Sequence, residues 1–234
     1  MLTVSFQLCS LPAVGSLEQE RGYEAPLFYG YKLEVTKIVL MAREENFTKL
    51  LSALESIHPF SVALSKALEE AAKDRTMHKK GTLLSEGGIQ HSLWFIAQGF
   101  AREYRYDPSS GDEHTNWFWQ SGDFVFHNRI LNEERSHVSI DFYAGSVLIE
   151  LDLISLAENS EVVNECNQIM TTLTDFNSML RNEHLNDLVR LTRMLHVKKF
   201  YEGHQMLFNF VRHKDLASFL GIRDKSIYRY LKGL

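Results

Sequence analysis

Apolar positions along the chain change period three times. From Asn46 the spacing is helical: Phe47, Leu50, Leu51, Leu54 and Ile57 share one face, and His58-Pro59 ends it. Leu64, Ala67, Leu68 and Ala71 predict a second helix. After Lys79-Lys80-Gly81 the period drops to that of strands, over 82–85, 93–97, 101–106, 114–119, 124–126, 138–143 and 147–151. Glycines at 81, 87, 88, 99, 111, 122 and 145 separate them, and Asp107-Pro-Ser-Ser-Gly-Asp112 reads as a hairpin tip. Short strands at such intervals predict a β-roll of jelly-roll type.

A different pattern follows. Val162, Cys166, Ile169, Leu173, Phe176 and Leu180 are spaced 4, 3, 4, 3, 4, a narrow a/d seam bordered by polar residues. It predicts a long helix that pairs with a second copy of itself. Packing against the chain's own β-domain is the other use of such a stripe. The seam lapses at Arg181–His184, and a new helix carrying Leu185, Leu188, Leu191 and Leu195 is expected after it.

The last segment predicts two helices joined by a tight turn. Leu216 and Leu220 give the first its inward face, Ala217 is small where the helices cross, and Gly221 permits a left-handed turn. Asp224 is an N-cap candidate, and Ile227, Tyr230 and Leu231 form the inward stripe of the second helix. Lys225, Ser226, Tyr228, Arg229 and Lys232 then face outward, and Lys214 lies on the first helix. This is the layout that places a helix in the major groove; an αα-hairpin closing a core is the plainer alternative.

Charge separates the two. The chain of 234 residues is acidic overall, with 25 Lys+Arg against 30 Asp+Glu. Residues 188–234 hold 10 Lys+Arg and 3 Asp+Glu, a net of +7, leaving −12 for the rest. A basic tail on an acidic body is the footprint of a DNA-binding module. Two cysteines, Cys9 and Cys166, make no disulfide framework and no metal set. His114, His127 and His137 raise the idea of a metal site on the strands, but they lack a His-x-His pair. The sequence carries no nucleophile motif, P-loop or dinucleotide fingerprint, so neither catalysis nor a cofactor is expected. No apolar run approaches a membrane span, and the start is a poor signal peptide, so a cytoplasmic protein is expected.

The order of parts resembles the cyclic-AMP-receptor/FNR (CRP/FNR) family of transcription regulators. The strongest carriers are Lys80–Gly87, Leu93–Gly99, Gly122-Asp123-Phe124 and Asp215–Ile222. The resemblance implies an α+β chain: a leader at 1–45 (expected to be poorly ordered), a sensor domain of N-terminal helices and β-roll at 46–158, a dimerisation helix at 159–184 and an all-α helix-turn-helix at 185–234. It implies a sequence-specific, homodimeric regulator of transcription. The partners expected are double-stranded DNA, a second copy, RNA polymerase and a small-molecule effector. Arg135 and Ser136 match the arginine and serine that hold the cyclic phosphate in the family. Phe126 stands where the family has a glycine whose amide approaches the ligand, and its ring is expected to crowd that approach. His127 replaces a carboxylate that accepts from the ribose. The effector is therefore expected not to be classical cyclic AMP. A sensor that no longer binds DNA is the alternative reading.

Overall fold

The computed structural model describes residues 26–127, 130 and 134–232. Most of the expected leader, residues 1–25, lies outside them. Helix α1 (Pro26–Ile57) begins at a proline, whose missing N–H costs nothing in a first turn, rather than at Asn46. Leu50 and Leu54 are fully buried, and the helix ends where the His58 amide meets the Leu54 carbonyl at 2.9 Å, just ahead of Pro59. Ser61 caps α2 (Val62–Ala71) by accepting from the Leu64 amide, and Leu64, Ala67, Leu68 and Ala71 form its buried face.

Eight strands follow among the described residues: β1 (Ala72–Thr76), β2 (Gly81–Leu84), β3 (Ser92–Gln98), β4 (Phe100–Asp107), β5 (Asp112–Gln120), β6 (Phe124–Val125), β7 (Ser139–Phe142) and β8 (Val147–Asp152). They make two antiparallel four-stranded sheets, in the orders β1-β8-β3-β6 and β2-β7-β4-β5. Seven of the strands coincide with the sequence pattern. β1 does not: its sequence Ala-Lys-Asp-Arg-Thr has no apolar alternation, because the strand is an edge whose last four residues are exposed.

Six further helices follow among the described residues: α3 (Leu153–Glu158), α4 (Val163–Arg190), α5 (Arg193–Gly203), α6 (Gln205–Phe210) and the pair α7 (His213–Phe219) and α8 (Asp224–Leu231). The break expected near residue 184 is corrected. α4 runs unbroken to Arg190, because the stripe changes face there while Arg181–His184 keeps helix-compatible residues. The turn comes at Leu191-Thr192, where Thr192 caps α5. Among the described residues no helix is long and apolar enough to cross a membrane.

Among the described residues the apolar core falls into three clusters. One joins α1, α2 and α4 to the outer face of the first sheet through Leu93, Phe95, Ile149 and Leu151. A second lies between the sheets, around Trp94, Ile96, Trp119, Ile140, Phe142 and Leu148. β3 serves both clusters, which is why Leu93–Ala97 is a continuous apolar run rather than an alternating one. The third cluster joins Phe118, on the other face of the second sheet, to Val197, Leu207, Leu216, Phe219 and Ile227 of the C-terminal helices. That last cluster sets where the helix pair α7–α8 sits.

Candidate nucleic-acid interface and effector pocket

The α7–α8 unit has the geometry read from its sequence. Leu216, Ala217, Leu220 and Ile227 are buried at its centre. Gly221 takes φ +63°, and the bonds Gly221 N–H to Ser218 O (3.2 Å) and Ile222 N–H to Ala217 O (3.0 Å) close the end of α7. Asp224 is not the cap of α8. Arg223 occupies that position without a side-chain bond, and Asp224 lies in the first turn. Lys225, Tyr228, Arg229 and Lys232 are exposed, at spacings of three and four, so they share one outward stripe opposite Ile227. Ser226 is half-buried. Tyr228 meets His213 edge-on at 4.7 Å, and the Arg229 guanidinium lies 5.3 Å from the Tyr230 ring. Lys214 is elsewhere: on α7, its Nζ lies 2.9 Å from Asp112 at the start of β5.

Beside Lys214 lies a charged anchor that sequence reading missed. Arg102 on β4 is fully buried. It donates to Asp215 of α7 at 2.7 Å and to Glu113 of β5 at 2.6 Å, with Asp141 of β7 at 3.4 Å. Burial opposes its charge, but Glu113 and then Asp215 more than offset this and hold its pKa above the ordinary value. Asp215 also accepts from Arg212 at 2.9 and 3.0 Å and from the Tyr143 hydroxyl at 3.3 Å. Burial, then the Asp215 charge, pushes that phenol upward. The Thr115 amide, on the free edge of β5, donates to Ser218 Oγ of α7 at 3.0 Å. Arg102 and Asp215 are 113 residues apart in the chain, and no local pattern could have joined them.

A cavity of about 500 Å³ lies between β4, β5, α4 and α7. His127, His137, Trp117, Arg181 and Glu103 are among its walls. Arg181 of α4 makes a bidentate pair with Glu103, at 2.9 and 2.8 Å, with its guanidinium 5.1 Å from the Trp117 ring. His184 stacks on Phe219 at 4.0 Å, and burial followed by the neighbouring His196 pushes its pKa down to about 4. Of the three residues assigned to a ligand, only His127 lines this cavity. Arg135 donates to the Gly87 carbonyl at 2.9 Å, while Ser136 is buried with its hydroxyl on the Val138 carbonyl. The turn at 87–88 is thus clamped by the Arg135 side chain and by the Ser136 backbone, which accepts from the Gly87 amide and donates to the Gly88 carbonyl, both at 2.7 Å. Phe126, expected to crowd the ligand, has its ring buried in the first core cluster; it does not line this cavity but lies on the wall of another. His114 sits by Asp107 at the hairpin, away from His127 and His137. Among the described residues no three His, Cys, Asp or Glu stand together as a metal set.

The 4-3 seam divides. Val162, Ile169 and Leu173 are buried within the chain beside Leu50, Leu54 and Leu64, and Cys166 is half-buried there. Phe176 is 51% exposed, and Leu180 is half-buried. The first half of the seam is thus spent on the chain's own core, the use that the spacing could not distinguish from helix pairing. Phe176 and Met179 are left outward.

No sequence profile of a known protein family matches the chain, and no curated protein sequence does. Solved structures do match. FixK2 from Bradyrhizobium japonicum is 17% identical, with 70% of this chain and 84% of that one covered at a TM-score of 0.57. The c-di-GMP-responsive global regulator CLP of Xanthomonas campestris is 13% identical, with 74% and 91% covered at 0.54. A CRP-family transcriptional regulator from Thermus thermophilus is 15% identical, with 69% and 83% covered at 0.51. The chain has the CRP/FNR-like cyclic-nucleotide-binding fold, carried in an α+β arrangement whose C-terminal helices are consistent with a helix-turn-helix.

Proposed function

We propose that this CRP/FNR-like fold serves as a homodimeric, sequence-specific DNA-binding regulator of transcription, without catalytic activity, whose β-roll answers to an effector other than classical cyclic AMP. The observation that carries the reading is the outward stripe Lys225, Tyr228, Arg229 and Lys232 on α8, supported from beneath by Ile227 and by the turn at Gly221. Exposed cations and a hydrogen-bonding aromatic on a helix held by its opposite face are what base edges and phosphates require. The segregated charge of residues 188–234 supports it independently. Arg229 is the residue assigned to a base edge; Lys232 and Lys214 are assigned to phosphates.

The effector reading rests on the β-roll. A phosphate held by Arg135 and Ser136 would compete with the Arg135 bond that closes the 87–88 turn and with the Ser136 hydroxyl bond to the Val138 carbonyl. The cavity beside His127 instead offers a salt-bridged arginine, imidazoles and an indole.

Arg229→Ala should flatten base preference at one position of each half-site, a discrimination of about 1–3 kcal/mol. Lys232→Ala should weaken all sequences alike and reduce the salt slope by about one per subunit. Binding profiles over single-base changes in a selected site, at two salt concentrations, separate the two. A uniform loss for Arg229→Ala makes it another phosphate contact, and failure to enrich any site from random DNA favours the sensor without DNA binding.

Pairing of two chains is assigned to the outward part of α4. Phe176→Asp should yield folded monomers by light scattering. Leu173→Asp should instead lose the fold, since it puts a charge into the intrachain core. A folded dimer from Phe176→Asp moves the interface elsewhere.

A further inference from the structure

The hairpin between β4 and β5 ends in carboxylates, and two of them face cations of the C-terminal helices. Asp112 lies 2.9 Å from Lys214, with the two side chains 50% and 60% exposed. Glu113 lies 3.4 Å from Arg212 while also meeting Arg102 at 2.6 Å. Asp107, the third acid at the tip, is spent on the turn. The hydroxyl and then the amide of Ser109 hold its pKa down at about 2, and the cation facing it, at 3.8 Å, is His114 when protonated, rather than one from the C-terminal helices.

We propose that Asp112 acts as a stand-in for a DNA phosphate, occupying Lys214 in the free protein so that DNA must displace it, while Glu113 stays with the Arg102 anchor and Arg212 with Asp215. This autoinhibitory contact rests on the DNA-binding reading above. In helix-turn-helix units the helix that precedes the reading helix crosses the sugar–phosphate backbone. Lys214 belongs to that helix, α7, and Arg212 immediately precedes it. A carboxylate on the Lys214 ammonium takes up donors that a phosphate would use and repels the phosphate as it approaches, so the pair that forms in the free protein subtracts from the affinity for DNA.

Exposure decides which pairs can exchange. Lys214–Asp112 is open to solvent on both sides, so its mutual stabilisation is small and a phosphate can replace the carboxylate. Arg102–Asp215, at 0% and 3% exposure, cannot be exchanged in this way. The module therefore stays moored through Arg102 while Lys214 changes partner. The hairpin lowers affinity for every sequence alike, because Lys214 is assigned no base.

The experiment is a double-mutant cycle on the full chain, read by binding to a labelled random-sequence duplex of about 30 base pairs at low salt, well beyond the span of two half-sites one helical turn apart. Asp112→Asn should tighten binding about threefold, the size expected of an exposed pair. Lys214→Gln should weaken it, and the double variant should bind like Lys214→Gln alone. Both side chains are exposed, so all three variants should melt close to the parent. Tightening by the same factor in both backgrounds would mean that Asp112 acts only through its long-range field, and no tightening in the parent background would mean that it does not mask Lys214. Either result overturns the proposal while leaving DNA binding intact. Failure of both the parent and Asp112→Asn to bind the duplex overturns the DNA-binding reading along with it.

Discussion

Asp215→Ala is expected to cost about 3–5 kcal/mol, because it strands the Arg102 guanidinium in the interior. Glu113 and Asp141 remain within reach of Arg102, which sets the lower end of that range, but Glu113 is 38% exposed and Asp141 already holds Lys80 at 2.9 Å. At roughly 2–4 °C per kcal/mol for a chain of this size, the melting temperature should fall by on the order of 10 °C. Joint replacement, Arg102→Met with Asp215→Leu, should recover much of the loss, since an apolar pair needs no compensation in a buried site. A melting point for Asp215→Ala within about 2 °C of the parent would mean that water reaches Arg102. The anchor would then not be what holds α7 to the sheet.

Gly99→Ala should be of similar size for a different reason. Gly99 links β3 to β4 at φ +106°, and a Cβ there would sit 2.7 Å from the backbone Cα of Ser146. The conformational penalty of about 1–2 kcal/mol adds to an overpacking cost of about 1–3 kcal/mol that backbone cannot relieve. Ser146 also exchanges two hydrogen bonds with the Phe100 backbone, so any retreat breaks the join between the sheets. Gly111→Ala is the control: its φ is +74°, yet nothing lies within 4 Å of its Cβ position. It should lose only about 1 kcal/mol. Equal melting points for the two alanine variants would remove the close approach as the cause.

These two effects also mark where the sequence was legible. Glycine punctuation, alternation in β4 and β5 and the Leu216–Ile227 pattern are local signals, and the corresponding elements were readable from them. Partnership was not. The spacing Val162, Cys166, Ile169, Leu173 is the same whether the facing surface is another copy or, as found, α1 and α2. The place of Phe126 in the cassette was visible, whereas the burial of its ring in the first core cluster was not. β1 escaped because an edge strand has no need of apolar alternation. Arg102 carries no local signal of burial, and only the fold brings Asp215 to it.

The docking of α7 on β5 carries one more consequence. β5 is nine residues long, the longest strand among those described, and lies at the edge of its sheet, with Trp117, Phe118 and Trp119 in sequence along it. β1, an edge of the other sheet, is guarded by Lys73, Asp74 and Arg75, and the edges β2 and β6 are short. β5 carries charge only at its start, Asp112 and Glu113, and none from Thr115 onward; there the Thr115 amide is satisfied by Ser218 and the aromatic flank by Phe219. An edge of that length and composition, if bared, is a template on which another chain can add a strand. The C-terminal module is thus also the chain's guard against self-templated aggregation, and truncation ahead of α7 would forfeit solubility along with any hold on DNA.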